Sequence, residues 1–109
     1  MPRLTAGFWV AAYLARLRLA DIPAFVVARG DETGGAVLVK QSTLDGHARC
    51  FQRRWDYETD TRPWTVLAEG AERDVDESIA HQRGYDTDLW VIEVEDRAGR
   101  HLLEEDGLA

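Results

Sequence analysis

Asp86-Thr87-Asp88-Leu89-Trp90-Val91-Ile92-Glu93-Val94-Glu95-Asp96-Arg97-Ala98-Gly99-Arg100-His101 reads as a strand, a tight turn and the start of a second strand. Side chains alternate between the two faces of a strand. Trp90, Ile92 and Val94 therefore share a face to be buried. Leu89, Val91, Glu93 and Glu95 share the other, which becomes charged towards its end. Gly99 supplies the positive φ that a short hairpin loop needs. A return strand over 101–104 would bring Arg100 and His101 back beside Glu95 and Glu93. Opposite charges placed across two strands contribute about 0.2–1 kcal/mol each. Glu93, Glu95, Arg100 and His101 form the candidate ligand or metal site, set against the plainer expectation of a solvated hairpin face with cross-strand ion pairs.

Working back from this stretch, residues 75–83 read as a helix. Asp74 and Glu77 make an acidic capping box, and Gly84 sits where a helix would stop. Residues 63–68 read as a strand that Pro63 opens. The polar loop before it spaces Asp56, Glu58 and Asp60 like a calcium loop. Thr61 stands where that loop needs glycine and Leu67 where it needs a bidentate acid, so it is not one. Residues 47–55 form another strand. Its face of Arg49, Phe51, Arg53 and Trp55 has the arginine and aromatic content of a single-strand nucleic-acid platform. The acids that follow nearly cancel its charge, which favours an amphipathic strand with paired arginines.

Residues 24–29 and 36–40 read as paired strands, apolar on both faces as central strands are. Gly30 to Gly35 connect them. This connection leads into a strand and lacks the Gly-Lys-Ser/Thr ending of a phosphate loop. Residues 5–20 read as a helix that Thr5 caps and Ile22-Pro23 ends. It is apolar almost all round. Its most polar stripe holds Trp9, Tyr13 and Arg16, three residue types that dominate interface hot spots. Those three are the candidate partner interface, unless another element of the same domain covers them.

Composition sets the outer limits. A chain of 109 residues is expected to form one domain over 1–109, with 45% hydrophobic and 30% charged residues typical of a globular protein. No apolar run approaches the length of a membrane span. The apolar stretch after Arg3 is followed at once by Arg16 and Arg18, which fits a packed helix better than a signal peptide. A net charge of −7 argues against a general nucleic-acid partner. Twelve of the thirteen basic residues are arginine, and Lys40 is the only lysine. Cys50 is the only cysteine, so no disulfide forms within the chain, and a reducing cytoplasm is the natural compartment.

Catalytic motifs are missing. Ser42 and Ser78 lie in no nucleophile elbow, and Cys50 falls on the strand face opposite His47. The histidines sit on separate elements without metal-ligand spacing. The expectation is therefore no catalytic residue, no metal and no cofactor.

Phe8 to Leu14, Gly35 to Lys40, Asp88 to Arg97 and Gly99-Arg100-His101 together resemble a small bacterial domain-of-unknown-function family, fourteen-ninety-one in that numbered series. The resemblance spans nearly the whole chain. It departs at Thr87, where the turn between two aspartates is expected to carry proline. It implies a small bacterial protein and brings no activity or site residue with it.

The reading as a whole is an α+β domain with the order α-β-β-β-β-α-β-β. Two helices cover one face of a mainly antiparallel sheet of five to six strands. In function it points to a non-enzymatic interaction module with a protein partner or self-association through the first helix or a sheet edge. The hairpin ligand site is the alternative, and the arginine-rich strand face is a weaker one.

Overall fold

The computed structural model describes residues 5–53 and 62–108. The elements run α1 (Ala6–Leu19), β1 (Ala24–Ala28), β2 (Val37–Ser42), β3 (His47–Arg53), β4 (Trp64–Ala71), α2 (Glu72–Tyr85) and β5 (Trp90–Glu95). The fold is α+β. The five strands lie in the order β1-β5-β2-β3-β4, with β5 parallel to β2 and every other pair antiparallel. The sheet is thus mixed.

Local chemistry accounts for both ends of α1. The Thr5 hydroxyl accepts the Phe8 N–H at 3.3 Å, and Arg16 and Arg18 sit in the last turn, where a cation suits the helix dipole. Asp21 takes a left-handed conformation with φ 58°. The Ile22 N–H then reaches the Leu17 carbonyl at 2.9 Å and the Asp21 N–H the Arg18 carbonyl at 3.1 Å. These are the paired bonds of a Schellman cap, and the buried Ile22 supplies its apolar contact.

The two helices cover opposite faces of the sheet rather than one. Ala6, Trp9, Val10, Tyr13 and Leu17 of α1 pack on Val39, Phe51, Trp90, Ile92 and Val94. Val75 and Ile79 of α2 pack on Leu38, Ala48, Cys50 and Val91. The alternation expected for β5 is observed, with Trp90, Ile92 and Val94 against α1 and Val91 against α2. Residue 72 follows β4 directly, so α2 starts earlier than the capping box suggests and has no side-chain cap.

β1 and β2 are not a hairpin, because β5 lies between them. The connection from Gly30 to Gly35 is a clamp around the start of β5. The Asp31 N–H donates to the Asp88 carbonyl at 2.9 Å, and the Trp90 N–H donates to the Ala36 carbonyl at 2.8 Å. A Cβ on Gly30 would lie 2.2 Å from the Asp88 carbonyl oxygen, and one on Gly35 2.4 Å from it. Glycine is required here by the closeness of two backbones, not by a turn.

The return strand over 101–104 does not form. Both edges of β5 are already paired, with β1 and with β2, so no position remains for it. The chain instead turns at Gly99 (φ 78°) and runs back over the α1 side of the core, burying Leu103 and Leu108. Tyr13 Oη donates to the His101 carbonyl at 2.7 Å, Arg16 to the Asp106 carbonyl at 3.0 Å and Arg53 to the Leu108 carbonyl at 2.9 Å.

Candidate functional site

The four residues expected to meet at a hairpin are not brought together, and the sheet separates Glu93 from His101. Glu93 lies on the α2 side, where its carboxylate accepts from Lys40 Nζ at 3.2 Å. Glu95 continues β5 opposite Ser42. Arg100 forms a surface pair with Asp96 at 2.9 Å, and its hydrogen bond to that carboxylate holds Asp96 below its ordinary range. His101 lies on the α1 side, with its ring 4.6 Å from that of Phe51. No combined acid–base or metal constellation results. Among the described residues, no group of three or more His, Cys, Asp or Glu side chains could hold a metal ion.

What the structure gathers instead is a cluster around Lys40. Its side chain is buried on β2, with Nζ 2.8 Å from Asp76, 3.2 Å from Glu93 and 3.6 Å from Glu72. Ser42 Oγ donates to Glu72 at 3.3 Å. Burial opposes the ammonium charge. The hydrogen bonds and charges of Asp76 and Glu93 outweigh it, so Lys40 titrates above its ordinary value. One ammonium thereby ties β2, β5 and α2 together. The sequence did carry a signal for it, since a lone lysine among arginines in an apolar strand is conspicuous.

The stripe of Trp9, Tyr13 and Arg16 is not an outward face. Trp9 and Tyr13 are buried, and their rings stack at 4.9 Å. Trp9 also meets Trp64 at 5.3 Å. A helix that is apolar all round gives its orientation no strong hydropathic signal, so aromatic area decides it. Tyr13 can be buried because its hydroxyl has the His101 carbonyl as a partner. Arg16 alone of the three is exposed.

The arginine and aromatic face of β3 is closed in the same way. Phe51 is buried beneath His101, with the Arg49 guanidinium 5.1 Å from its ring centroid. Arg53 lies 4.6 Å from the Trp64 ring. Trp55 and the acidic stretch after it lie outside the described residues. A stacking platform needs open aromatic faces, and Phe51 offers none.

His101 has a measurable consequence. Its Nδ1 accepts the Leu103 N–H at 3.1 Å, so that nitrogen is unprotonated. Burial first, then the Arg49 charge, depress its pKa, with Glu104 acting weakly the other way. The unfolded chain therefore takes up a proton before the folded one does. Stability is expected to fall as pH drops below about 6.5. Chemical denaturation at stepped pH should show this loss, and His101→Leu should flatten it.

The feature left open is the β1 edge. Phe25 is 49% exposed, Val26 37% and Val27 52%. Among the described residues β1 pairs only with β5, and its other edge has no strand beside it there. A bulge between Val26 and Ala28 interrupts its register. Apolarity on both faces of 24–29 resembles a central strand; here it is an edge strand with apolar side chains in water. Periodicity cannot separate the two, because strand order is not a local property. A cleft of about 370 Å³ lies at the far end of β1, lined by Arg29, Arg83, Asp86 and Leu89 among others. Within it Arg29 is already engaged by Glu32 at 2.6 Å and by the Trp90 ring.

Comparison with known proteins agrees with the fold. Residues 4–104 match the family model described as protein of unknown function, DUF1491. A crystal structure of a DUF1491 family protein from Caulobacter crescentus CB15 is 38% identical, with a TM-score of 0.82 and 94% of each chain covered. An NMR structure of a DUF1491 family protein from the same organism is 36% identical, with a TM-score of 0.83 and 96% of each chain covered. A solution structure of a protein from A. tumefaciens is 25% identical, with a TM-score of 0.73 over 86% of each chain. No curated protein matches the chain.

Proposed function

The chain belongs to the DUF1491 family, and from that premise, which carries no activity, we propose that it is a non-enzymatic interaction module docking a protein strand along the free edge of β1. The observation that carries this reading is the run Phe25-Val26-Val27, exposed on an edge strand. Natural edge strands are normally blunted by charge or proline, since an open apolar edge pairs with other chains. Between Ile22 and Ala28 there is no charged residue, and the one proline, Pro23, stands before the strand and not within it. The occupant this chemistry suits is an extended, uncharged segment rich in β-branched or aromatic side chains. Its main chain would supply affinity and its alternate side chains specificity.

Other features support the same reading. Lys40, Glu93 and the aromatic cluster are taken up in holding the fold together. The described helices include none long and apolar enough to cross a membrane. The lone thiol of Cys50 suits a reducing compartment, and we place the module in the cytoplasm.

The test is a titration of the labelled protein with an alternating valine–threonine octapeptide, followed by amide chemical shifts. Shifts confined to Ala24–Ala28 and their β5 neighbours are the expected result. Shifts elsewhere, or none at saturating peptide, would contradict it.

A further inference from the structure

The direction in which each β1 backbone group points determines what can pair with that edge. The Glu95 N–H donates to the Pro23 carbonyl at 2.9 Å, so residue 23 faces β5. In an antiparallel pair the inward-bonding and outward-bonding residues alternate. Phe25 opposite Glu93 therefore also bonds towards β5, while Ala24 and Val26 present their N–H and C=O groups to the open edge. The bulge after Val26 ends the regular strip, so only these two residues offer a clean pairing ladder.

We infer that the segment docking on this edge is the same strand of a second copy of the chain, antiparallel and related by a two-fold axis through Phe25; this rests on the strand-docking reading above. In that register Ala24 of one copy meets Val26 of the other, twice. Both outward residues of each strand are then used, and the pairing stops short of both bulges. Centring on Ala24 would call on the Ile22 N–H, already bonded to the Leu17 carbonyl at 2.9 Å, and centring on Val26 would run the strand into the bulge. The two Phe25 side chains face each other across the axis as a non-hydrogen-bonded pair, the closer kind in an antiparallel ladder. Charge favours the same arrangement. Asp21 precedes the strand and Arg29 follows it, so antiparallel pairing brings the acidic end of each copy to the basic end of the other. Arg29 can exchange its solvent-exposed pair with Glu32 for this contact, since such a pair is worth little. No like-charged pair opposes the contact between residues 22 and 28, although each copy carries a net −7.

Four backbone hydrogen bonds and a small apolar strip make a modest interface, so the association is expected to be weak and concentration-dependent. Sedimentation velocity over a concentration series should show the dimer. Phe25→Asp places two carboxylates on the axis and should weaken it at least tenfold. Phe25 is half exposed and interior to neither core, so this variant stays folded. A second variant reads the register. In Phe25→Cys the paired Cα atoms would lie about 4.5 Å apart, within reach of a disulfide. Mild oxidation should give a covalent dimer from Phe25→Cys and none from Val27→Cys. The native thiol does not interfere, since burial pushes Cys50 up to about 12. A dimer that survives Phe25→Asp, or cross-links equally through both cysteine variants, overturns the inference. A chain that stays monomeric while its β1 edge still takes up the octapeptide overturns self-pairing alone. A monomer whose edge takes up no strand overturns the docking reading as well.

Discussion

Trp90→Ala is expected to destabilise the protein by about 4 kcal/mol, near the upper end for an aromatic truncated in a core. Trp90 is 2% exposed, at the start of the strand that both β1 and β2 pair with. Its indole N–H donates to the Asp31 carbonyl at 2.8 Å, and the Arg29 guanidinium sits 5.2 Å from its ring centroid. Truncation thus opens a cavity in the α1-side core and leaves the Asp31 carbonyl with only the longer bond from the Gly35 N–H, at 3.2 Å. For a domain of this length the loss corresponds to a fall in Tm of roughly 20 °C. Trp90→Phe keeps most of the volume but not the donor, and should cost about 2 kcal/mol. Urea unfolding of the two variants separates packing from the hydrogen bond. A cost below about 1.5 kcal/mol for the alanine variant would mean that the clamp does not depend on this residue.

Lys40→Met is expected to cost about 3 kcal/mol at neutral pH, by leaving a partly buried acidic cluster without its cation. Glu72, Asp76 and Glu93 all lie within 4 Å of the ammonium in the native protein, and they come from two elements besides β2. The figure falls short of the largest such losses because Asp76 is 53% exposed and water screens it. The pH dependence identifies the cause. In the native protein Lys40 titrates above its ordinary value. Its contribution is therefore complete at neutral pH and is lost only as pH rises through that raised value. The deficit of the variant should therefore hold through neutral pH and shrink as pH rises through that raised value. A deficit independent of pH would show that Lys40 acts through packing and not charge.

Of the α2-side cluster, only the β5 residues were legible in the sequence. The alternation from Leu89 to Glu95 sorted each residue of β5 to its correct face. The lone lysine stood out but had no partner until β2 and β5 came together as parallel neighbours. Parallel pairing between strands fifty residues apart leaves no local trace, and neither does the insertion of β5 between β1 and β2. That insertion explains the other departures. It turns 24–29 from an expected central strand into an exposed edge. It leaves no place for a return strand beyond Gly99, so His101 and Arg100 never reach Glu93. It also gives Gly30 and Gly35 their role, since both lie against the carbonyl of Asp88. The orientation of α1 was unreadable for a different reason. With apolar residues all round, the helix turns its largest aromatics inward, where Trp64 and the chain after His101 cover them.

Amide hydrogen exchange at Ala24 and Val26, with Phe25 as internal reference, tests the role of the β1 edge most directly. In dilute solution the two outward amides should exchange quickly while that of Phe25, bonded towards β5, is protected. Raising the protein concentration or adding the strand peptide should slow Ala24 and Val26 and leave Phe25 unchanged. Fast exchange at both positions under every condition would contradict a strand-docking edge.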